Sequence, residues 1–172
     1  AADVLAEWTD VKISHGAVRN IVNKVGMAQA REVKELEESA ELPPGKKVDY
    51  LFAEADGVYL HGTKRKKGME VRYAVMYEGW EENGNRVALK ERKVIMTAKS
   101  SDAFWTEVQA MARSHYSLEK AQVVTNSDGG AGYTAEKFQE AFSQSEKLVI
   151  NQLDAYHVYQ NLNRVFGPGK SK

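Results

Sequence analysis

The sequence predicts a mixed α/β fold with a five-stranded sheet, preceded by a small N-terminal helical segment. Residues 48 to 97 contain three apolar stretches that alternate with polar residues and are separated by glycine-containing turns, as in an antiparallel meander. Helical and strand patterns then follow each other to residue 166, in the order helix, strand, helix, strand, helix. Helical crossovers require the later strands to run parallel, most simply beside the first strand.

Composition excludes several classes of protein. The 172 residues are 42% hydrophobic and 28% charged, as in an ordinary globular domain. The 24 basic and 24 acidic residues cancel, so bulk charge does not indicate a nucleic-acid partner. The absence of cysteine excludes disulfides and fits a reducing cytoplasm. No apolar run is long enough to span a membrane, so we expect no membrane partner.

Residues 1–26 predict two short helices in a helix-turn-helix arrangement. Ser14 is placed to cap the second helix, and Gly26 either ends or interrupts it. In a DNA-binding arrangement the second helix would present Arg19, Asn20 and Asn23 to a groove. A helical hairpin that only packs against its neighbours has the same pattern, so both interpretations stand.

Residues 27–47 predict a charged helix followed by a linker. Acids and bases interleave along the helical part, which is typical of a solvated face, and the run Leu42-Pro43-Pro44-Gly45 ends it. The third segment, 48–172, then holds the sheet.

The first three strands are predicted at 48–60, 69–77 and 87–97. The loop between the first two carries four consecutive bases, Lys64, Arg65, Lys66 and Lys67. Such a tetrad is most often a solvated loop tip, and it can also follow a phosphate backbone.

The second half begins with a helix that Ser101-Asp102 is placed to cap, and the apolar stripe of this helix predicts core packing. The stripe comprises Phe104, Trp105, Val108, Met111 and Ala112, and Tyr116 closes the helix. A strand at 121–126, a helix from about Thr134, a strand at 147–153 and a helix at 155–166 complete the chain.

The order β-β-β-α-β-α-β-α is that of the ribonuclease H-like fold, in which the first and fourth strands are parallel neighbours. Asp56 lies on the first strand and Asp128 follows the fourth, so we expect the two acids to meet. Two close carboxylates repel unless a cation lies between them, and their oxygens favour magnesium or manganese. Taken alone, Asp56 is also explained as an acid at a turn before a glycine.

Three further side chains are auxiliary candidates. Glu54 shares the Asp56 face of the first strand and is a lesser candidate. Asp154 ends the fifth strand, and His157 follows three residues later, so both can lie beside Asp128. Asp154 is equally well explained as the cap of the last helix.

The chain resembles the bacterial ISLre-type insertion-sequence transposases, which are similar to the Mutator-like DDE transposases. The residues that carry the resemblance are Glu54-Ala55-Asp56-Gly57-Val58-Tyr59, Tyr77-Glu78-Gly79-Trp80, Asn126-Ser127-Asp128-Gly129 and Leu153-Asp154-Ala155-Tyr156-His157. The resemblance implies a ribonuclease H-like core that cleaves and joins DNA with two divalent metal ions. It assigns the first two metal-binding aspartates to Asp56 and Asp128, and an Asp-x-x-His signature to Asp154 and His157.

The resemblance also implies transposon ends and target DNA as partners, a bacterial, nucleoid-associated location and possible homo-oligomers of the full-length protein. The family's third acid, a glutamate, follows a helical insertion well downstream, and no acid here corresponds to it. We therefore expect a fragment of a longer protein, with little or no cleavage activity by itself. A ribonuclease H-like nuclease or resolvase, and a non-catalytic DNA-binding protein, remain alternatives.

Overall fold

The computed structural model describes residues 13–38, 45–61, 68–84 and 86–166. The chain divides into two units, Ala1–Ala40 and Glu41–Lys172. Among the described residues, no helix has both the length and the apolar character needed to cross a membrane. The predicted first helix at the N-terminus and the basic tetrad 64–67 lie outside the described residues.

The described part of the first unit is one helix, α1 (His15–Glu38). Ser14 caps it as predicted, because its Oγ accepts a hydrogen bond of 3.1 Å from the backbone of Ala17. The predicted boundary between residues 26 and 27 falls inside α1, since the helix continues through Gly26. An isolated glycine lowers helix stability by about 1 kcal/mol without ending the helix.

The second unit contains nine strands and three helices within the described ranges. They are β1 (Lys46–Lys47), β2 (Tyr50–Leu60), β3 (Met69–Tyr77), β4 (Trp80–Asn83), β5 (Arg86–Leu89), β6 (Lys93–Thr97), α2 (Ser101–His115), β7 (Tyr116–Ser117), β8 (Gln122–Ser127), α3 (Ala135–Ala141), β9 (Ile150–Leu153) and α4 (Ala155–Phe166).

The main sheet has the predicted topology. Its strand order is β6-β3-β2-β8-β9. β2 is antiparallel to β3 and β3 to β6, whereas β8 is parallel to both β2 and β9. This confirms the mixed α/β class, the five-stranded sheet with a central first strand, and the order β-β-β-α-β-α-β-α of its strands and helices.

The predicted third strand at 87–97 is wrong in its extent. Two strands occupy that stretch: β5 pairs with β4 in a separate hairpin, and β6 alone joins the main sheet. Gly84 adopts a left-handed φ of 61° at the tip of that hairpin, and Glu91 turns the chain with a φ of 51°. These two turns direct the alternating pattern into two sheets.

Other strand boundaries differ by a few residues. β2 begins at Tyr50 and β9 at Ile150, two and three residues later than predicted. The short pair of β1 with β7, which is parallel, was missed by the sequence analysis because two-residue strands have no detectable alternation.

One face of the main sheet forms the core of the second unit. Its centre is small, with Ala53, Ala55 and Ala74 each no more than 3% exposed. Small side chains leave room for the helices, and α2 contacts β3, β6 and α3. The predicted stripe of α2 is buried, and Phe104 is fully so. Ser100 caps α2, one residue earlier than predicted, and Tyr116 ends it as predicted.

The opposite face is open in the described structure. On β2 the residues Phe52, Glu54 and Asp56 point to this face and are half-buried, whereas their neighbours Leu51, Ala53 and Ala55 are buried. No residue of α4 is buried. The acids that the sequence singled out therefore lie on the accessible side of the sheet.

Candidate functional site

Three aspartates form one row across the parallel strands, with Asp56 inside β2 and with Asp128 and Asp154 directly after β8 and β9. Glu54 on β2 pairs with Asn126 on β8, and Asn126 pairs with Gln152 on β9. Each of these three residues is followed two positions later by an aspartate: Asp56, Asp128 and Asp154, respectively. Side chains two residues apart on a strand share a face, so this register brings the three acids to one edge of the open face.

One cavity of about 90 Å³ collects these acids and their neighbours. Its lining includes all five acid and histidine candidates from the sequence, namely Glu54, Asp56, Asp128, Asp154 and His157. Tyr73, Asn126 and Ser127 complete the polar lining, and sequence reasoning had not selected them. Asp56 and Asp128, which are 72 residues apart in sequence, thus share one cavity.

Asp56 is oriented by two donors. The backbone N–H of Gly57 lies 2.7 Å from Oδ1, and the hydroxyl of Tyr73 lies 3.2 Å from Oδ2. Tyr73 is the cross-strand partner of Asp56 on β3. Burial and, next, the charge of Asp56 raise the pKa of Tyr73, so its hydroxyl remains a donor. The cross-strand position is the signal that would have identified Tyr73, once the register was known.

Asp128 begins a glycine-rich loop that turns back on its carboxylate. Gly129 has a left-handed φ of 75°, and the backbone N–H of Gly130 donates a bond of 2.8 Å to Asp128 Oδ1. The backbone conformation there favours glycine, because residues with a Cβ atom meet a steric penalty in the left-handed region. The loop thus holds the carboxylate at the end of β8.

Asp154 and His157 form a hydrogen-bonded pair at the start of α4. Asp154 Oδ2 lies 2.9 Å from His157 Nδ1, and Oδ1 accepts a bond of 2.9 Å from the backbone of Tyr156. The Tyr156 backbone bond and then the His157 bond hold the pKa of Asp154 below its usual range. The sequence offered Asp154 both as a helix cap and as a neighbour of Asp128. It is both, because Asp154 caps α4 and also lines the acid cavity.

Glu54 lies one row further inside the sheet. Its Oε1 accepts a bond of 2.7 Å from the hydroxyl of Tyr77, which is 4% exposed. Burial and then this bond raise the pKa of Tyr77. The ring of Tyr77 stacks on Phe52 and meets Trp80 edge-on, with centroids 5.5 Å apart in both pairs. Glu54 is therefore a fixed acceptor between the acid row and an aromatic cluster.

The open face continues below the acid row as a larger groove. This groove has a volume of about 490 Å³, and its lining includes Phe52, Trp80, Val124 and Gln152. Glu54, Asn126 and Asp154 line both cavities, so the two are contiguous.

The acid row matches a metal site in its chemistry and does not by itself form a closed ligand group among the described residues. Within residues 13–38, 45–61, 68–84 and 86–166, no three acids or histidines lie close enough together to enclose an ion. The row supplies carboxylate oxygens, which is the donor chemistry that magnesium and manganese prefer.

The predicted DNA-binding residues are divided between described and undescribed parts. Arg19, Asn20 and Asn23 are exposed on α1, and Asn23 lies about one helical turn after Arg19 and Asn20. Nothing in the first unit besides α1 is described that would complete a helix-turn-helix. Lys64 to Lys67 lie outside the described residues.

Comparison with known proteins places the chain in a family. A protein from Streptococcus gallolyticus, described as "UPF0236 protein in vanSb 3'region", is 29% identical to it over 155 residues. The match covers 90% of this chain and 33% of the relative, so the chain spans about a third of that relative's length. The sequence model of the family described as "Uncharacterised protein family (UPF0236)" matches residues 1–169. The chain therefore belongs to the UPF0236 family.

Proposed function

We propose that this chain is the catalytic-core part of a DNA transposase that cleaves and joins DNA strands by two-metal phosphodiester chemistry. The observation that carries the proposal is the row formed by Asp56 of β2 with Asp128 and Asp154, which follow the carboxyl ends of the parallel strands β8 and β9. This edge is where parallel α/β sheets bind their ligands. The resemblance of the surrounding motifs to insertion-sequence transposases supports the same conclusion.

Asp56 and Asp128 are the residues that would hold the metal. The Oδ1 atom of each accepts a backbone hydrogen bond, of 2.7 Å from Gly57 and of 2.8 Å from Gly130, which orients the carboxylates. Carboxylates sharing a cavity repel each other, and a divalent cation relieves that repulsion. When bound, magnesium or manganese ions activate the attacking oxygen and stabilise the leaving oxygen of a phosphodiester.

The other acidic and basic residues of the cavity are Asp154, His157 and Glu54. Their role would be to transfer protons and to supply charge beside the metal-binding aspartates. Asp154 is hydrogen-bonded to His157 Nδ1, so Nε2 is the ring nitrogen outside that bond. A histidine oriented in this way can act as a general acid or base toward a reacting oxygen. Glu54, held by Tyr77, supplies a fixed negative charge beside the row.

DNA is the proposed partner, both as transposon ends and as target. The exposed face of α1 that carries Arg19, Asn20 and Asn23 supports this, because such side chains bind phosphates and base edges. Replacing Arg19 and Asn20 by alanine should weaken DNA binding at low salt. Unchanged affinity would remove α1 from the proposed DNA-binding surface.

Calorimetric titration with Mn²⁺ tests the metal site directly. We expect wild-type protein to bind Mn²⁺, and Asp56→Asn and Asp128→Asn to lose that binding, since each removes one carboxylate charge. Asp49→Asn is the matched control, because Asp49 is an exposed acid just before β2, at the end of that strand distant from Asp56. If the two site variants bind Mn²⁺ like wild type and Asp49→Asn, the metal site is refuted.

Strand joining by the full-length protein separates a transposase from a nuclease or resolvase. With labelled DNA carrying the element's own ends, we expect cleavage followed by joining to a second DNA molecule. Asp56→Asn should abolish both steps. Cleavage that depends on Asp56 but is never followed by joining would favour the nuclease alternative.

A further inference from the structure

A hydrogen bond between two residues outside the acid row lies over Gly57, which follows Asp56, and is linked to Asp128 through the loop 128–133. Tyr133, at the end of the loop 128–133, donates from its hydroxyl to Glu70 Oε1 on β3 over 3.0 Å. Tyr133 is 6% exposed, and its ring packs edge-on against Phe104 of α2. We call this contact the Tyr133–Glu70 bond.

Glu70 is a fixed acceptor for this bond. Its Oε2 forms an ion pair of 2.5 Å with Arg72 Nη2, and Arg72 Nη1 donates over 2.7 Å to the backbone oxygen of Lys99. The Glu70 carboxylate is therefore held on both oxygens. Burial and, next, the bond to Glu70 raise the pKa of Tyr133, so the hydroxyl keeps the proton that it donates.

Short contacts connect Tyr133 back to the Asp128 carboxylate. The backbone N–H of Tyr133 donates over 2.8 Å to Gly130, and the N–H of Gly130 donates over 2.8 Å to Asp128 Oδ1. The loop is tied once more by Trp105 of α2, whose indole donates over 3.0 Å to the backbone oxygen of Gly132. A shift of Tyr133 would therefore be transmitted to Asp128.

The same bond also lies over β2 at Gly57, the residue after Asp56, on the face of the strand opposite to the Asp56 side chain. A Cβ added to Gly57 would lie against Glu70 Oε1 and 2.5 Å from the Tyr133 hydroxyl, closer than real Cβ atoms approach such atoms. Gly57 in turn donates its N–H to Asp56 Oδ1. The absence of a side chain at residue 57 is thus what allows the bond to form over β2, at the residue whose N–H orients the Asp56 carboxylate.

We propose that Tyr133 and Glu70 are positioning residues, whose hydrogen bond sets the placement of Asp128 relative to Asp56. They act through the aspartates and do not touch substrate. The inference rests on the proposed function for its consequence, metal binding, whereas the mechanical coupling of Tyr133 to the loop stands on the contacts alone. Partners that orient metal-binding residues commonly change metal affinity 10- to 100-fold when removed.

Tyr133→Phe is the direct test, because it removes only the hydroxyl. We expect Mn²⁺ affinity to fall about 10-fold and amide hydrogen exchange in residues 128–133 to accelerate. Glu70→Gln keeps an acceptor oxygen and should retain more Mn²⁺ affinity than Glu70→Ala. Tyr116→Phe is the matched control, since Tyr116 is also buried, and its hydroxyl lies 3.4 Å from the backbone oxygen of Glu91. It should bind Mn²⁺ like wild type.

The outcomes separate this inference from the proposed function. If Tyr133→Phe leaves both Mn²⁺ affinity and loop exchange unchanged, the positioning role is overturned. If Tyr133→Phe lowers thermal stability while its folded form binds Mn²⁺ like wild type, the bond is only structural and the inference also fails. If wild-type protein binds no Mn²⁺, the proposed metal site fails, and loop exchange alone then decides whether the bond positions Asp128. Should Tyr133→Phe not fold, the comparison of Glu70→Gln with Glu70→Ala decides in its place.

Discussion

Asp154 Oδ2 is hydrogen-bonded to His157 Nδ1 over 2.9 Å, while Asp154 Oδ1 caps α4 by accepting a bond from the backbone N–H of Tyr156. These bonds hold the pKa of Asp154 below its ordinary value of 3.8, with the backbone bond from Tyr156 as the larger cause. A depressed folded-state pKa stabilises the fold above the unfolded-state pKa, and the effect is lost as the pH falls through the folded-state value.

We therefore expect the Asp154 carboxyl to titrate below pH 3.8, with the amide signal of Tyr156 shifting over the same range. Carboxyl carbon NMR of isotopically labelled protein measures the first, and proton–nitrogen NMR of the backbone amides measures the second. Asp154→Asn should keep the cap but remove the titration. A midpoint at or above 3.8 would show that the cap and the His157 pair are not formed in solution.

Phe104→Ala should lower the free energy of unfolding by about 3 to 5 kcal/mol, because a fully buried ring is replaced by a cavity. Met96→Ala on β6 is the control, since Met96 is 67% exposed on the open face. We expect that change to stay within about 0.5 kcal/mol. Urea denaturation followed by circular dichroism compares the two. A large loss for Met96→Ala would mean that the open face is covered by this chain.

Gly129→Ala should destabilise the protein by about 1 to 2 kcal/mol, because an alanine is forced into a left-handed conformation. The new Cβ would also lie 3.0 Å from Leu153 Cδ2. Gly132→Ala, in the same loop, places its Cβ in open space and should be nearly neutral. Thermal denaturation of both variants is the measurement. Equal effects would contradict the left-handed turn after Asp128.

Ser127→Ala should leave stability unchanged or raise it by about 1 kcal/mol. Ser127 is 4% exposed, and within the described residues its Oγ is buried without a hydrogen-bond partner. Removing such a group recovers its desolvation penalty. Chemical denaturation tests this. A clear loss of stability would indicate that Oγ is bonded in solution, for example to a water in the acid cavity.

The sheet order could be predicted from sequence because it follows from local signals and connection rules. Alternation identified β2 and β3, and helical crossovers forced β8 and β9 to be parallel. Asp56 was selected as an acid inside an apolar strand, and Asp128 was selected because the predicted strand order places it beside Asp56. The division of 87–97 was not predictable from alternation, because β5 and β6 have the same pattern in different sheets.

By itself, the amino-acid sequence determined the class of fold, the strand order and which acids lie at strand ends, because these depend on periodicity and chain connectivity. Only the tertiary structure decided the register that aligns Asp56, Asp128 and Asp154 in one row. It also decided which tyrosines donate to the acids: Tyr73 to Asp56, Tyr77 to Glu54, and Tyr133 to Glu70. These contacts join residues distant in sequence, and their geometry depends on how strands pair and helices pack, which no local pattern encodes.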